Sequence, residues 1–311
     1  MVLVGNLLLM GLGFLLLIKG ADFVVDGASG IARKLNIPKI IIGLTIVAMG
    51  TSAPEAAVSI ASALAGSTDI TVGNIVGSNI LNIFIILGAS AVIASLGVTR
   101  SVIEIDIPVM IGASVLLLCL GVDGKVSFSD ALILLLGFIG YMTYLFMIAK
   151  NKIQDEDDKN EKQLKLWQAI VFTVGGITAI VIGSDISVDA ATEIAKTLGV
   201  SERVIGLTIV ALGTSLPEFV TSVAAAKKNN VDIALGNVVG SNIINILLII
   251  GLSGVIAPVT FVSTFLIDMA VVILAGFLVY GVCVSRKKID RTTGIIMLVL
   301  YGAYFLFLLF E

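Results

Sequence analysis

Apolar residues come in long runs along this chain, and polar residues punctuate them at regular intervals. The runs lie near 2–20 (continuing to about 33 as a less apolar turn), 38–65, 70–96, 103–121 and 128–149. A second set lies near 166–184 (continuing to 197), 202–226, 232–257, 264–284 and 292–310. A hydrocarbon core takes about 20 apolar residues per helix. The pattern therefore predicts an all-α membrane protein with ten transmembrane helices, five in each half. Between the halves stands one polar connector, KNKIQDEDDKNEKQLK at 150–165, in which five lysines balance five acids. It lacks the glycine and terminal Glu of an EF-hand loop and reads as a solvated linker. The division expected is 1–149, a cytoplasmic linker at 150–165, and 166–311.

The second half repeats the first. IIGLTIVAMGTSAPE at 41–55 returns as VIGLTIVALGTSLPE at 204–218, and VGNIVGSNILN at 72–82 returns as LGNVVGSNIIN at 235–245. The offset is 163 throughout, without a gap, from Gly20/Gly183 through Asp22/Asp185, Asp26/Asp189 and Glu55/Glu218 to Asn82/Asn245 and Gly88/Gly251. The repeated motifs span about 41–88 and 204–251. Five spans is an odd number, so the second copy enters the membrane from the opposite side. Inverted repeats of this kind place a site at the midplane between them.

Composition agrees with the pattern. The 311 residues are 58% hydrophobic and 13% charged, with a mean hydropathy of +1.13, a polytopic membrane composition. The 32 glycines suit helices packed closely in lipid. The first run has no cationic lead and no small-residue cleavage site, so it is expected to be a spanning helix and not a signal peptide. With an external N-terminus, fifteen Lys and Arg fall on inside loops and only Lys125, Lys196 and Arg203 outside. The positive-inside rule then predicts both termini outside and the linker in the cytoplasm, in the cell membrane.

Net charge is −3 with no basic block, which argues against nucleic acid as a partner, and no obligate protein partner is implied. There is no histidine, which excludes His-ligated zinc and His-based acid–base catalysis. Cys119 and Cys283 sit in apolar runs without metal-ligand spacing and read as buried small hydrophobes.

The chemistry gathers in the repeats. Pro54 in GTSAPE lacks an N–H and clashes with the carbonyl four residues back, so the helix is expected to break near 48–54 and free carbonyls around Ala48 to Gly50. Irregular backbone at membrane depth survives only where protein or a cavity satisfies it. Thr51 and Ser52 add hydroxyls and Glu55 a carboxylate; Ala211, Thr214, Ser215 and Glu218 reproduce the set. Asn74, Ser78 and Asn82 are spaced by four on one helix face, repeated as Asn237, Ser241 and Asn245, while Asn79 and Asn242 lie off that stripe. Gly73, Gly77, Gly236 and Gly240 read as packing glycines. Intramembrane carboxylates mark an ion or substrate path, and packing does not require one in both halves. Every donor atom on offer is oxygen, which suits Ca²⁺ and Na⁺ over soft metals. Two carboxylates match the charge of one Ca²⁺; without a cation they would repel, so ions of one kind or another should always occupy the site. Asp22, Asp26, Asp185 and Asp189 are expected to serve helix-end or interfacial hydrogen bonding, with a cation-gathering role as the rival.

The duplicated GTSxPE…GNxxGSNxxN pattern resembles the α-repeats of the Ca²⁺/cation antiporter superfamily, most of all the prokaryotic sodium/calcium exchangers. The resemblance implies Glu55 and Glu218 as the principal ligands shared by Ca²⁺ and Na⁺. It implies oxygens from Thr51, Ser52, Ser78, Thr214, Ser215 and Ser241, carbonyls near Ala48 and Ala211 at Na⁺ sites, and Asn82 and Asn245 facing the centre. It also implies that the first helix of each half slides against the bundle, and that exchange is electrogenic, three Na⁺ for one Ca²⁺, with no cofactor beyond the transported ions. Asn245, where some K⁺-dependent relatives have Asp, argues for K⁺ independence. The threonine–serine form of both motifs favours Na⁺ over H⁺. The alternatives are a Ca²⁺/H⁺ antiporter and, from other classes, a cation channel or an intramembrane hydrolase using paired carboxylates; no Ser–His or metal-ligand set accompanies the last.

Overall fold

The structure, a computed structural model, describes residues 2–151, 164–198, 211–262 and 265–310. Residues 152–163 of the linker, Arg203 and the 204–210 stretch of the second motif lie outside them.

The first half opens with α1 (Val2–Leu35). The second span is a broken pair, α2 (Lys39–Thr51) and α3 (Ala53–Leu64), bent by 49° at Ser52. The third, α4, runs from Thr68–Leu81 through a π-helical stretch Asn82–Leu87 into Gly88–Ile93. After strand β1 (Leu96–Gly97) come α5 (Val102–Gly121), strand β2 (Lys125–Val126) and α6 (Phe128–Asn151). The second half repeats this order. It has α7 (Leu166–Thr197), the pair α8 (Ala211–Thr214) and α9 (Leu216–Lys227), and α10 (Val231–Ile256) with a π-helical stretch Asn245–Ile250. Strand β3 (Val259–Thr260), α11 (Phe265–Arg286), strand β4 (Lys288–Ile289) and α12 (Arg291–Phe310) follow. Among the described residues, eight helices are long and apolar enough to cross a membrane, and the broken pair makes nine. The tenth predicted span is the one whose first half falls outside the described residues.

Two short ladders fix the relation between the halves. β1 pairs antiparallel with β4 in the register Leu96↔Ile289, and β2 with β3 in the register Val126↔Val259. Shifting each residue by 163 turns one ladder into the other. The halves are therefore exchanged by an internal two-fold, and the loop after the third span of one half meets the loop after the fourth span of the other. Two neighbouring loops on the same face can sit so only if the halves run in opposite directions.

Burial follows function. The most apolar stretches of α4 and α10 are 78% buried, against 22% for α6 and 17% for α12, so the repeat motifs form the core and the fifth helix of each half faces lipid. Cys283 is buried as its surroundings suggest; Cys119 is exposed, which corrects the expectation, because it lies on the outer face of α5 where apolar surface meets lipid and not protein. α1 and α7 pack antiparallel through small residues spaced by seven. A Cβ at Gly20 would lie 2.8 Å from the Gly176 carbonyl, and one at Gly183 2.8 Å from the Gly13 carbonyl. Such backbone contact is what small residues allow in membranes.

Helix ends are set by ordinary caps. Ser127 and Asp130 form a reciprocal box at the start of α6, with the Ser127 N–H donating to Oδ2 of Asp130 at 2.8 Å. The equivalent position before α12 is Asp290, whose Oδ1 accepts the Thr293 N–H at 3.0 Å and hydroxyl at 2.8 Å. These bonds hold the Asp290 carboxyl below its ordinary value. α3 ends at Gly66 (φ 79°) and α9 at its counterpart Asn229 (φ 57°), both residue types that enter the left-handed region readily.

Candidate functional site

Pro54 and Pro217 stand in the first turn of α3 and α9, just past each break. They start these helices well, because that position needs no N–H, and they cannot continue the helix before. Glu55 and Glu218 follow immediately, each in the first turn, where unpaired N–H groups and the helix dipole favour negative charge. Both carboxylates are 1% exposed.

The two-fold brings the repeats together as interlocked halves. The Ser52 hydroxyl lies 2.8 Å from Oε1 of Glu218 and 3.0 Å from the Ser241 hydroxyl. In mirror fashion the Ser215 hydroxyl lies 3.3 Å from Oε1 of Glu55 and 3.2 Å from the Ser78 hydroxyl. Ser78 reaches Glu55 at 3.4 Å and Ser241 reaches Glu218 at 3.5 Å. Each carboxylate is thus held by one serine of its own half and one of the other. Its second oxygen is different: Oε2 of Glu55 and Oε2 of Glu218 are buried without a hydrogen-bond partner. So are Oδ1 of Asn82, Oδ1 of Asn245 and the Thr214 hydroxyl. Four of these five atoms can only accept if the carboxylates are ionised. Buried acceptors left without donors are expensive, and a cation is the species that satisfies several at once.

These contacts bring together Ser52, Ser78, Ser215, Ser241, Glu55 and Glu218, and the geometry differs from the sequence expectation in three ways. First, the carbonyl of Ala48 is not freed by the break, because the chain is still helical there and it accepts the Ser52 N–H at 3.0 Å. The carbonyls that lose their donor are those four residues before each proline, Gly50 and Gly213. The Ser184 hydroxyl of α7 donates to the Gly213 carbonyl at 2.7 Å, whereas the counterpart of Ser184 is Ala21, with no hydroxyl to give. Ala211 is the first described residue of its stretch and lies in the helical segment Ala211–Thr214. Second, Asn79 and Asn242, off the predicted stripe, meet across the two-fold where α4 and α10 cross. Nδ2 of Asn79 donates to the Asn242 carbonyl at 3.3 Å, and Nδ2 of Asn245 donates to Oδ1 of Asn79 at 3.0 Å. Third, Asn74 and Asn237 brace the carboxylate-bearing helices. Asn74 donates to the Glu55 carbonyl at 3.2 Å and to the Ser59 hydroxyl at 3.1 Å. Asn237 donates to the Glu218 carbonyl at 3.3 Å and the Ser222 hydroxyl at 2.9 Å. Ser59 and Ser222 recur at the same offset as the motifs, a signal the sequence contains; Ser184 has no such signal.

Asp22 and Asp26 do not join this site. They take the ammonium of Lys228, at 3.1 and 2.7 Å. Among the described residues no group of three or more Asp, Glu, Cys and His forms a further metal cluster.

The family model described as sodium/calcium exchanger protein matches residues 5–147 and matches again over 168–310. The sodium/calcium exchanger MaX1 of Methanosarcina acetivorans is 34% identical over 355 residues, 98% of this chain and 99% of that protein. The membrane protein MJ0091 of Methanocaldococcus jannaschii is 36% identical over 292 residues, 93% of each. A solved structure of the sodium–calcium exchanger NCX_Mj, soaked with 10 mM Na⁺ and zero Ca²⁺, matches with a TM-score of 0.85 at 33% identity, over 97% of this chain and 98% of that one.

Proposed function

This chain belongs to the sodium/calcium exchanger family, and from that premise we propose that it is an antiporter that exchanges Na⁺ for Ca²⁺ by alternating access at the Glu55–Glu218 site. The observation that carries the reading is the set of buried, unpartnered oxygens from both halves around two carboxylates. One Ca²⁺ balances the two negative charges. Na⁺ has a similar radius and accepts the same oxygens, so the two ions compete for one place and are carried in turn. Three Na⁺ against two carboxylates leave one positive charge, so a three-for-one exchange is electrogenic. Thr51, Ser52, Ser78, Thr214, Ser215 and Ser241 supply hydroxyl oxygens, Asn82 and Asn245 amide oxygens, and Ala48 and Ala211 backbone carbonyls. Asn245 in place of a carboxylate leaves K⁺ without a charge partner, so exchange is K⁺-independent.

Access changes when α1 and α7, joined through their glycine seam, slide over the bundle made by the remaining helices of the two halves, 1–149 and 166–311. α7 lies over both breaks, with Gly50 against Ile177 and Gly213 against Val188. The chain sits in the cell membrane with both termini outside and the 150–165 linker in the cytoplasm, supported by the asymmetry of its basic loops.

The test is ⁴⁵Ca²⁺ uptake into proteoliposomes loaded with Na⁺, choline or a pH gradient. Uptake that needs internal Na⁺ and proceeds without K⁺ is expected. Uptake that follows the pH gradient and ignores Na⁺ would make the protein a Ca²⁺/H⁺ antiporter; flux without any exchanged ion would make it a channel.

A further inference from the structure

The halves are equivalent in sequence and are held differently. α1 packs along α9, while α7 makes no comparable contact with α3 among the described residues. The effect is visible at matched positions. Thr221 on α9 is 0% exposed, and its counterpart Val58 on α3 is 37% exposed. Ala225 is fully buried and its counterpart Ser62 half-buried. The end of α9 is thus covered by α1, and the matching end of α3 has no such cover among the described residues.

At that covered end stands Lys228. Its ammonium lies 3.1 Å from Oδ1 of Asp22 and 2.7 Å from Oδ1 of Asp26, and it donates to the Asp22 carbonyl at 3.0 Å. One residue at the tip of α9 therefore grips α1 at three points, two of them one helical turn apart. The repeat breaks at this place. Asp185 and Asp189 on α7 match Asp22 and Asp26, but the position equivalent to Lys228 is Ala65. Among the described residues, Asp185 and Asp189 take part in no ion pair. The carboxylate pair is duplicated and the cation that would clamp it is not.

We infer that Lys228 is a positioning residue for transport: its grip on Asp22 and Asp26 holds α1 on α9, closes the site on that face and biases opening toward the opposite face. The inference rests on the alternating-access reading above. The pair is partly exposed, with side-chain exposures of 30–41%, so its strength is that of a bias and not of a lock. A bias suits a carrier that must release the clamp in every cycle.

The experiment uses the full chain in lipid nanodiscs, with Cys119→Ser and Cys283→Ala, and one reporter cysteine at a time, Ala225→Cys or Ser62→Cys. The rate of labelling by a water-soluble maleimide is measured in Na⁺ and in Ca²⁺. Lys228→Ala is expected to speed labelling at position 225 about threefold to tenfold and to slow it at position 62. Asp26→Asn should act in the same direction, and Lys228→Arg should restore wild-type rates at both. If Lys228→Ala leaves both rates unchanged while the wild-type rates still respond to the ions, the clamp is wrong and alternating access stands. If the substitution raises both rates together, Lys228 merely holds the fold, and the inference is overturned. If neither wild-type reporter responds to any ion, the alternating-access reading fails and takes the clamp with it.

Discussion

Thr51 is fully buried and its hydroxyl donates to Oδ1 of Asn237 at 3.0 Å. Thr214, the same residue 163 positions on, is half-buried, and its buried hydroxyl has no partner. Asn237 is 0% exposed, while its counterpart Asn74 is half-buried. The two ends of the site have one chemistry and two environments. Inverted copies of one motif are interchangeable in principle, yet α1 covers the end of α9 and α7 does not cover the end of α3 in the same way among the described residues. In the proposed exchanger the identical residues make the ion site, and the packing of α1 and α7 sets which end is more firmly held.

The sharpest way to test the shared chemistry is to remove either carboxylate. Glu55→Gln and Glu218→Gln should each reduce Na⁺-dependent ⁴⁵Ca²⁺ flux about 30-fold or more, and by similar factors, because each supplies half the charge that balances Ca²⁺. A large inequality between them would break the equivalence.

Packing between the halves is tight at α10. A Cβ at Gly240 would lie 2.7 Å from the Leu44 carbonyl and 2.8 Å from the Leu44 Cα, a backbone clash. Gly240→Ala should destabilise the protein by about 1–3 kcal/mol, read as a lower Tm. An unchanged Tm would contradict that close approach of α10 to α2.

Within the site the serines differ more finely. Ser52 stands 2.8 Å from its carboxylate and Ser215 3.3 Å from its own. A hydrogen bond to a charged group contributes about 1.5–3 kcal/mol, so Ser52→Ala should raise the KM for Ca²⁺ about tenfold, and Ser215→Ala less. The smallest contrast is between the caps of α6 and α12. Asp290→Ala should lower Tm slightly at neutral pH. The carboxyl is held below its ordinary value of 3.8, so its contribution is present above that pH and is lost as pH falls through the lowered value. The Tm gap between wild type and variant should therefore close in acid.

Much of this was legible in the residues. Hydrophobic runs marked the spans, the 163-residue offset marked the two-fold, and a proline before each intramembrane Glu marked the breaks. What was not legible has physical reasons. The π-helical stretches beginning at Asn82 and Asn245 are a change of hydrogen-bond register that side-chain identity does not encode, although such stretches favour functional sites. Asn79 and Asn242 fall off the polar stripe of one helix, and only the crossing of α4 with α10 turns them toward each other. Lys228 finds Asp22 and Asp26 from some two hundred residues away, a pairing no local pattern carries. The unequal ends were hidden for a related reason: a departure from the repeat, Lys228 against Ala65, carries no meaning until the packing of α1 on α9 brings Asp22 and Asp26 to it.

The most direct measurement is equilibrium ⁴⁵Ca²⁺ binding to the purified protein across a Na⁺ titration. One Ca²⁺ bound per chain, displaced by Na⁺ with a dependence steeper than first order, is the result expected of a single two-carboxylate site that takes several Na⁺ in place of one Ca²⁺. Two or more Ca²⁺ per chain, or bound Ca²⁺ indifferent to Na⁺, would contradict it.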